Sequence, residues 1–150
     1  MLEAPEKSSF YSQGLHFSCK RCSSCCRYDS GFVYLCEKDL EKLSTELGMD
    51  RNAFVDTYCR WVVNVNGKEA LSLRERSNKD CILWDSGCLV YLSRPLQCSS
   101  FPFWESIVCS DQTWNIAACT CPGMNCGETH SERTIEEHLI TRKAEPVIYR

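Results

Sequence analysis

Four cysteines in the run Cys19-x-x-Cys22-x-x-Cys25-Cys26 constrain this chain more than any other feature of it. Two residues between cysteines let one tight turn aim two sulfurs at a common point, so the spacing serves zinc and iron–sulfur sites alike. Adjacent cysteines have diverging side chains, so Cys25 and Cys26 either divide between ligand and non-ligand roles or serve two metal sites. The run is part of a larger excess. Thirteen of the 150 residues are cysteine, a share at which composition alone points to disulfides or to metal.

Compartment separates those two readings, because disulfides persist in oxidising surroundings and cytosolic thiols stay reduced. The chain opens Met-Leu-Glu-Ala-Pro-Glu-Lys, without the basic and apolar regions of a secretory signal. It has no apolar run of transmembrane length. An odd cysteine number also prevents complete pairing within one chain. A cytoplasmic metal–thiolate protein is therefore expected over a disulfide scaffold, with no membrane association. Sulfur ligands are soft and favour zinc, iron–sulfur clusters or copper(I) over magnesium or calcium. A net charge of −3 and a pI near 5.6 argue against nucleic acid, which needs a basic face.

The run also resembles the local cysteine pattern of bacterial ferredoxins, where a distant cysteine followed by proline completes a site. Cys121-Pro122 has that proline, but Cys26 directly after Cys25 departs from the pattern.

The rest of the chain reads as mixed α+β: a small single domain of short helices, β-hairpins and long loops organised around a cysteine metal site. Residues 1–14 are expected to be a flexible N-terminus, 15–128 the cysteine-cluster domain, and 129–150 a C-terminal helix and tail. A loop over 15–34 carries the cluster, with a short strand near Phe32–Leu35. Leu40, Leu43 and Leu47 recur at helical spacing, predicting a helix from Glu37 to Leu47 that Gly48 stops. Glu37 and Asp39 suit its first turn. Asp50 is placed to cap a second helix reaching about Arg60, with Phe54, Tyr58 and Trp61 on one face. Trp61–Val65 and Leu71–Arg74 read as a hairpin about Asn66-Gly67. Ile82–Trp84 and Cys88–Tyr91 read as another about Asp85-Ser86-Gly87. Trp104–Val108 and Thr113–Ala117 read as β-like segments about Ser110-Asp111-Gln112, and 119–128 as loop. A last helix is expected over Ser131–Lys143, with Thr129 and Glu132 as a capping box and Ile135 and Leu139 on its buried face.

Taken in order, these motifs resemble the YkgJ-type cysteine-cluster family, the zinc- or iron-chelating CxxCxxCC domain, over roughly residues 17–127. After the four-cysteine run come Gly31, Leu35-x-x-x-Asp39-Leu40, Cys81-Ile82-Leu83 and Cys88-Leu89-Val90-Tyr91. Arg94-Pro95-x-x-Cys98, Phe101-Pro102-Phe103, Trp114 and Cys121-Pro122-Gly123 complete the pattern. Ser23-Ser24 stands where the family often has a glycine, and Cys36 where it usually has threonine before the first helix. The resemblance implies eight metal ligands: Cys19, Cys22, Cys25, Cys26, Cys81, Cys88, Cys98 and Cys121. Eight thiolates make one site with cysteines to spare or two sites of four. The family is similar to the cysteine-rich part of a flagellin lysine methyltransferase, for which an iron–sulfur cluster is implied. That favours an iron–sulfur cofactor, with Zn²⁺ as the alternative.

The other cysteines have plainer readings. Cys59, among apolar neighbours on the second predicted helix, and Cys36, at the start of the first, read as ordinary packed thiols. Cys109, Cys119 and Cys126 fall outside the family pattern and read as non-ligands, with Cys119 and Cys126 the first exceptions because they flank Cys121. His16 reads as an exposed loop residue, His130 as a neighbour of the last helix cap, and His138 as solvated or half-buried. A four-thiolate zinc site carries net negative charge, and burial demands compensation. Arg94, with a permanent charge and five donors, is the candidate to support the site from behind its ligands; a surface salt bridge is the competing reading. Phe101, Phe103, Trp104 and Trp114 read as a hydrophobic wall. No phosphate-binding loop, Ser/His/Asp pattern or H-E-x-x-H helix is present. Two other function classes stand beside metal binding: part of a metal-dependent protein lysine methyltransferase system, by the resemblance above, and a thiol redox or metal-sensing protein.

Overall fold

The computed structural model describes residues 9–21, 32–64 and 66–150. They form two compact units, one drawn from 1–22 and 102–140 and the other from 23–101 and 141–150. The arrangement is α+β, with six α-helices and two separate two-stranded antiparallel sheets among the described residues.

The unit built on 23–101 follows its apolar periodicity closely. Helix α1 (Glu37–Glu46) buries Leu40 and Leu43, and Gly48 stops it in the left-handed region at φ +64°, where glycine has no Cβ penalty. Cys36 and Asp39 form a capping box at its start: the Cys36 side chain faces the Asp39 amide, and the Asp39 carboxylate accepts from the Cys36 amide at 3.1 Å. Helix α2 (Arg51–Tyr58) begins where Asp50 accepts from the Ala53 amide at 2.8 Å. It ends before Arg60, because the chain extends at once into strand β2 (Cys59–Val63). Cys59, expected on the helix, therefore lies on a strand. Strand β3 (Glu69–Leu73) pairs with β2 in antiparallel register, Trp61 opposite Leu71. Between them the Asn64 side chain accepts from the amides of Asn66 and Lys68.

The strand expected at Phe32–Leu35 is reduced to isolated bridges. Tyr34 pairs with Ser72 and Cys36 with Val147. The second expected hairpin is a loop closed by one bridge, Trp84 to Cys88. Ser86 and Gly87, inside that loop, both take positive φ. A 3-10 turn (Tyr91–Ser93) follows, and then helix α3 (Leu96–Ser100), which starts after Pro95. The core is Leu35, Leu40, Leu43, Phe54, Cys59, Leu71, Leu73, Leu83 and Val90. Each large side chain fully buried there contributes roughly 1.5–3 kcal/mol.

The other unit corrects the sequence reading in several places, beginning with strand β1 (Leu15–Phe17), which lies in the stretch expected to be loop. The segments expected to be strands at Trp104–Val108 and Thr113–Ala117 are helices, α4 (Glu105–Val108) and α5 (Asp111–Ala118). Ser110 accepts from the Thr113 amide at 3.1 Å and the Thr113 hydroxyl accepts from the Ser110 amide at 3.2 Å. This reciprocal cap nucleates α5 and outweighs the β-propensity of the aromatic and branched residues around it. Residues 119–128, expected to be loop, include the start of strand β4 (Met124–His130). It pairs with β1 (Leu15–Phe17), with an irregularity between His16 and Phe17. Helix α6 (Glu132–Ala144) is capped by Ser131, which accepts from the Thr134 amide. Thr129, expected as that cap, instead contacts His16 Nδ1 at 3.1 Å. Ile135 is fully buried, but Leu139 is only half-buried. Phe103 and Trp114 stack with ring centres 6.1 Å apart, and Phe103 also meets Phe17 and His138. No helix among the described residues is long and apolar enough to cross a membrane.

Candidate metal centre

Sequence and backbone place Cys19 and Cys121 at the same end of the β1–β4 pair. Ser18, between β1 and Cys19, donates its amide to the Gly123 carbonyl at 3.2 Å. Its hydroxyl accepts from the Glu128 amide at 2.9 Å. The approach needs glycine on both sides. A Cβ on Gly123 would stand 2.3 Å from the Ser18 carbonyl oxygen, and one on Gly127 would stand 2.2 Å from the Ser18 hydroxyl. Gly127 also has φ +77°. Cys121 precedes Gly123 by two residues in a turn where its carbonyl accepts from the Met124 amide. Cys19 is exposed and Cys121 half-buried. The Arg21 amide points at Cys19 Sγ, 3.4 Å away.

Cys88 closes the loop that its bridge to Trp84 defines, and Cys81 lies three residues before that loop. The Cys81 carbonyl accepts from the Trp84 amide at 2.9 Å, and Cys81 also bridges Glu75. Both are half-buried against the unit's apolar core. Cys98 is the middle residue of α3 and is also half-buried. Its helix is held at its start by Asp39, which accepts from the Leu96 amide at 2.9 Å. The Gln97 side chain adds two more ties, accepting from the Tyr34 amide and donating to the Phe32 carbonyl.

Cys22, Cys25 and Cys26 lie outside the described residues. Among the described residues no group of three or more His, Cys, Asp or Glu side chains is gathered closely enough to hold a metal ion. The donor chemistry nevertheless fits a thiophilic metal. The five described candidates are all sulfur donors, none sealed in the core, and Cys19 is a free thiol at the surface.

The remaining cysteines separate by burial. Cys36 and Cys59 are 4% and 2% exposed. Burial pushes both thiols up, Cys59 to about 12 despite the opposing influence of Arg74. A thiol held protonated in apolar surroundings is inert as a ligand or nucleophile. Cys109, Cys119 and Cys126 are exposed free thiols. Cys109 and Cys119 direct their sulfurs to backbone carbonyls of their own helical turns.

Histidine is engaged elsewhere. His16 contacts the Gly127 carbonyl and Thr129, and His130 contacts the Phe17 carbonyl. His138 stacks on Phe103; burial, assisted by His130, holds its pKa below the ordinary histidine value. The Arg94 guanidinium lies over the Tyr91 ring, 4.0 Å from its centre, and donates to the Tyr91 carbonyl. The sequence reading passed over Arg142, which reaches Ser100 on the helix that carries Cys98. Its only sequence signal is a cation in the last turn of a helix, which says nothing of a tertiary partner.

A family model described as "CxxCxxCC: Putative zinc- or iron-chelating domain" matches residues 18–122. No solved structure matches the chain.

Proposed function

We propose that this chain, which belongs to the CxxCxxCC family of zinc- or iron-chelating domains, holds its metal as an iron–sulfur cluster on cysteine thiolates. The ligands proposed are Cys19, Cys22, Cys25, Cys26, Cys81, Cys88, Cys98 and Cys121. The observation that carries the reading is the sorting of the thiols. Among the described residues the two buried cysteines, Cys36 and Cys59, lie outside this set, and the members of the set stand beside the β1–β4 pair, at isolated bridges and on a short helix. Cysteine thiolates are the ordinary ligands of four-iron clusters. When bound, such a cluster supplies one-electron redox chemistry; zinc on the same ligands supplies a structural cross-link. The chain's own contribution is to fix the sulfurs: Ser18, Gly123 and Gly127 set the Cys19 and Cys121 backbones, and Asp39 and Gln97 set α3.

Anaerobic purification followed by iron, zinc and acid-labile sulfide analysis tests the reading. Iron and sulfide in matching amounts, with broad visible absorbance that bleaches on reduction, are expected. A colourless protein carrying zinc replaces the cluster with the zinc form of the same reading. A folded protein carrying neither metal refutes both.

A further inference from the structure

Helix α3 is only five residues long, too short to hold its own geometry, so Cys98 depends on what the helix is tied to. Asp39 fixes its first amide and Gln97 its outer side. The third tie is at its end. Ser100 is fully buried, and its hydroxyl accepts from Arg142 Nη1 at 3.4 Å. Arg142 is half-buried and shares a cavity of about 10 Å³ with Cys36, Asp39, Leu96, Gln97 and Glu145. That is room for roughly one water.

The charges around this cavity are mostly accounted for. Glu145 is paired with Lys38 at 2.6 Å. Both Asp39 oxygens accept backbone amides, from Cys36 and Leu96. Burial pushes the Arg142 pKa below its ordinary value, and Asp39, then Cys98 and Cys36, act against that shift. The hydrogen bond to Ser100 brings this cation to the end of the helix that carries Cys98, whereas Arg94 lies on Tyr91.

We infer that Arg142 is the positioning cation of the Cys98 ligand, holding α3 through Ser100 and offsetting the negative charge that a metal-bound Cys98 thiolate brings into a half-buried place. The inference rests on the proposal that Cys98 is a metal ligand. Arg142 lies beyond the stretch matched by the family model. Arginine keeps its charge and supplies donors in a planar fork. Groups that support a ligand from behind typically change metal affinity by about 10–100-fold when removed.

The test uses the full chain, purified anaerobically with its metal, as wild type, Arg142→Met, Arg142→Lys and Arg94→Met. The readout is the rate at which a chelator strips the metal, with circular dichroism reporting the fold. R142M is expected to lose metal at least about tenfold faster. R142K, which keeps the charge but not the planar fork, is expected to fall between R142M and wild type, and R94M to match wild type. An R142M protein as retentive as wild type overturns the inference. So does an R142K protein as leaky as R142M, since shape rather than charge would then matter, or an R94M protein leakier than R142M. If R142M does not fold, Ser100→Ala takes its place: severalfold faster loss supports the inference, and unchanged loss overturns it. A wild-type chain that carries no metal refutes the parent proposal, and a loaded wild type beside an unaffected R142M refutes this one alone.

Discussion

Asp39→Ala is expected to be the most damaging single polar substitution in the unit that carries Cys98. The carboxylate is 2% exposed. One oxygen accepts the Cys36 amide at 3.1 Å and the other the Leu96 amide at 2.9 Å, so one side chain ties the start of α1 to the start of α3. A hydrogen bond to a charged group contributes about 1.5–3 kcal/mol, and its loss leaves a buried donor unsatisfied. Two such losses, and the removal of the anion facing Arg142, put the cost at about 3–5 kcal/mol. With a urea m-value of about 2 kcal/mol/M, the unfolding midpoint falls by roughly 2 M. Asp39→Asn keeps one acceptor but turns an amide donor towards the other N–H, and is expected to cost about half as much. The assay is urea unfolding in reducing buffer, followed by tryptophan fluorescence at matched metal content. Amide exchange at Cys36 and Leu96 is expected to quicken. A loss in D39A below about 1 kcal/mol, with both amides still protected, would refute the idea that this carboxylate joins the two helices.

Other consequences are equally open to measurement. Gly123→Ala is expected to cost about 1–3 kcal/mol and to speed metal loss, because its Cβ meets the Ser18 carbonyl at 2.3 Å; unchanged retention would mean the Ser18 contact does not set the Cys19 backbone. Ser110→Ala removes the cap of α5 and is expected to cost about 1 kcal/mol in thermal or urea unfolding. The Cys59 thiol keeps its proton in the fold up to about 12, against an ordinary value of 9.0. Between those values the unfolded chain binds fewer protons than the native one. The Cys59 contribution is therefore fully present below pH 9 and is lost as pH rises towards 12, at up to roughly 1.4 kcal/mol per pH unit. Cys59→Ala is expected to flatten that alkaline slope, and an unchanged slope would place its cause elsewhere.

Local signals carried the parts of the fold that were legible in the sequence. Asp50, Gly48 and the leucine spacing placed α1 and α2, and Asn66-Gly67 placed the β2–β3 pair, because each signal acts within a few residues. The helices α4 and α5 were misread because tryptophan, isoleucine and valine favour strands, while the Ser110–Thr113 cap depends on two side chains exchanging amides. Strand β4 was invisible for another reason. Its sequence Met-Asn-Cys-Gly-Glu-Thr-His has no apolar alternation, and its partner β1 lies more than a hundred residues earlier. Of the candidate site, the cysteines were legible as ligand types. The Ser18 contact with Gly123 and Gly127, and the tie from Arg142 to α3, join distant segments through tertiary packing, which spacing does not encode.

The most direct test of the thiol assignment is differential alkylation mapped by mass spectrometry, on the anaerobic protein before and after metal removal by a chelator. Cys19, Cys22, Cys25, Cys26, Cys81, Cys88, Cys98 and Cys121 are expected to be protected with metal and modified without it. Cys109, Cys119 and Cys126 are expected to react in both states, and Cys36 and Cys59 in neither until the chain unfolds. Equal labelling of the eight with and without metal would contradict the account.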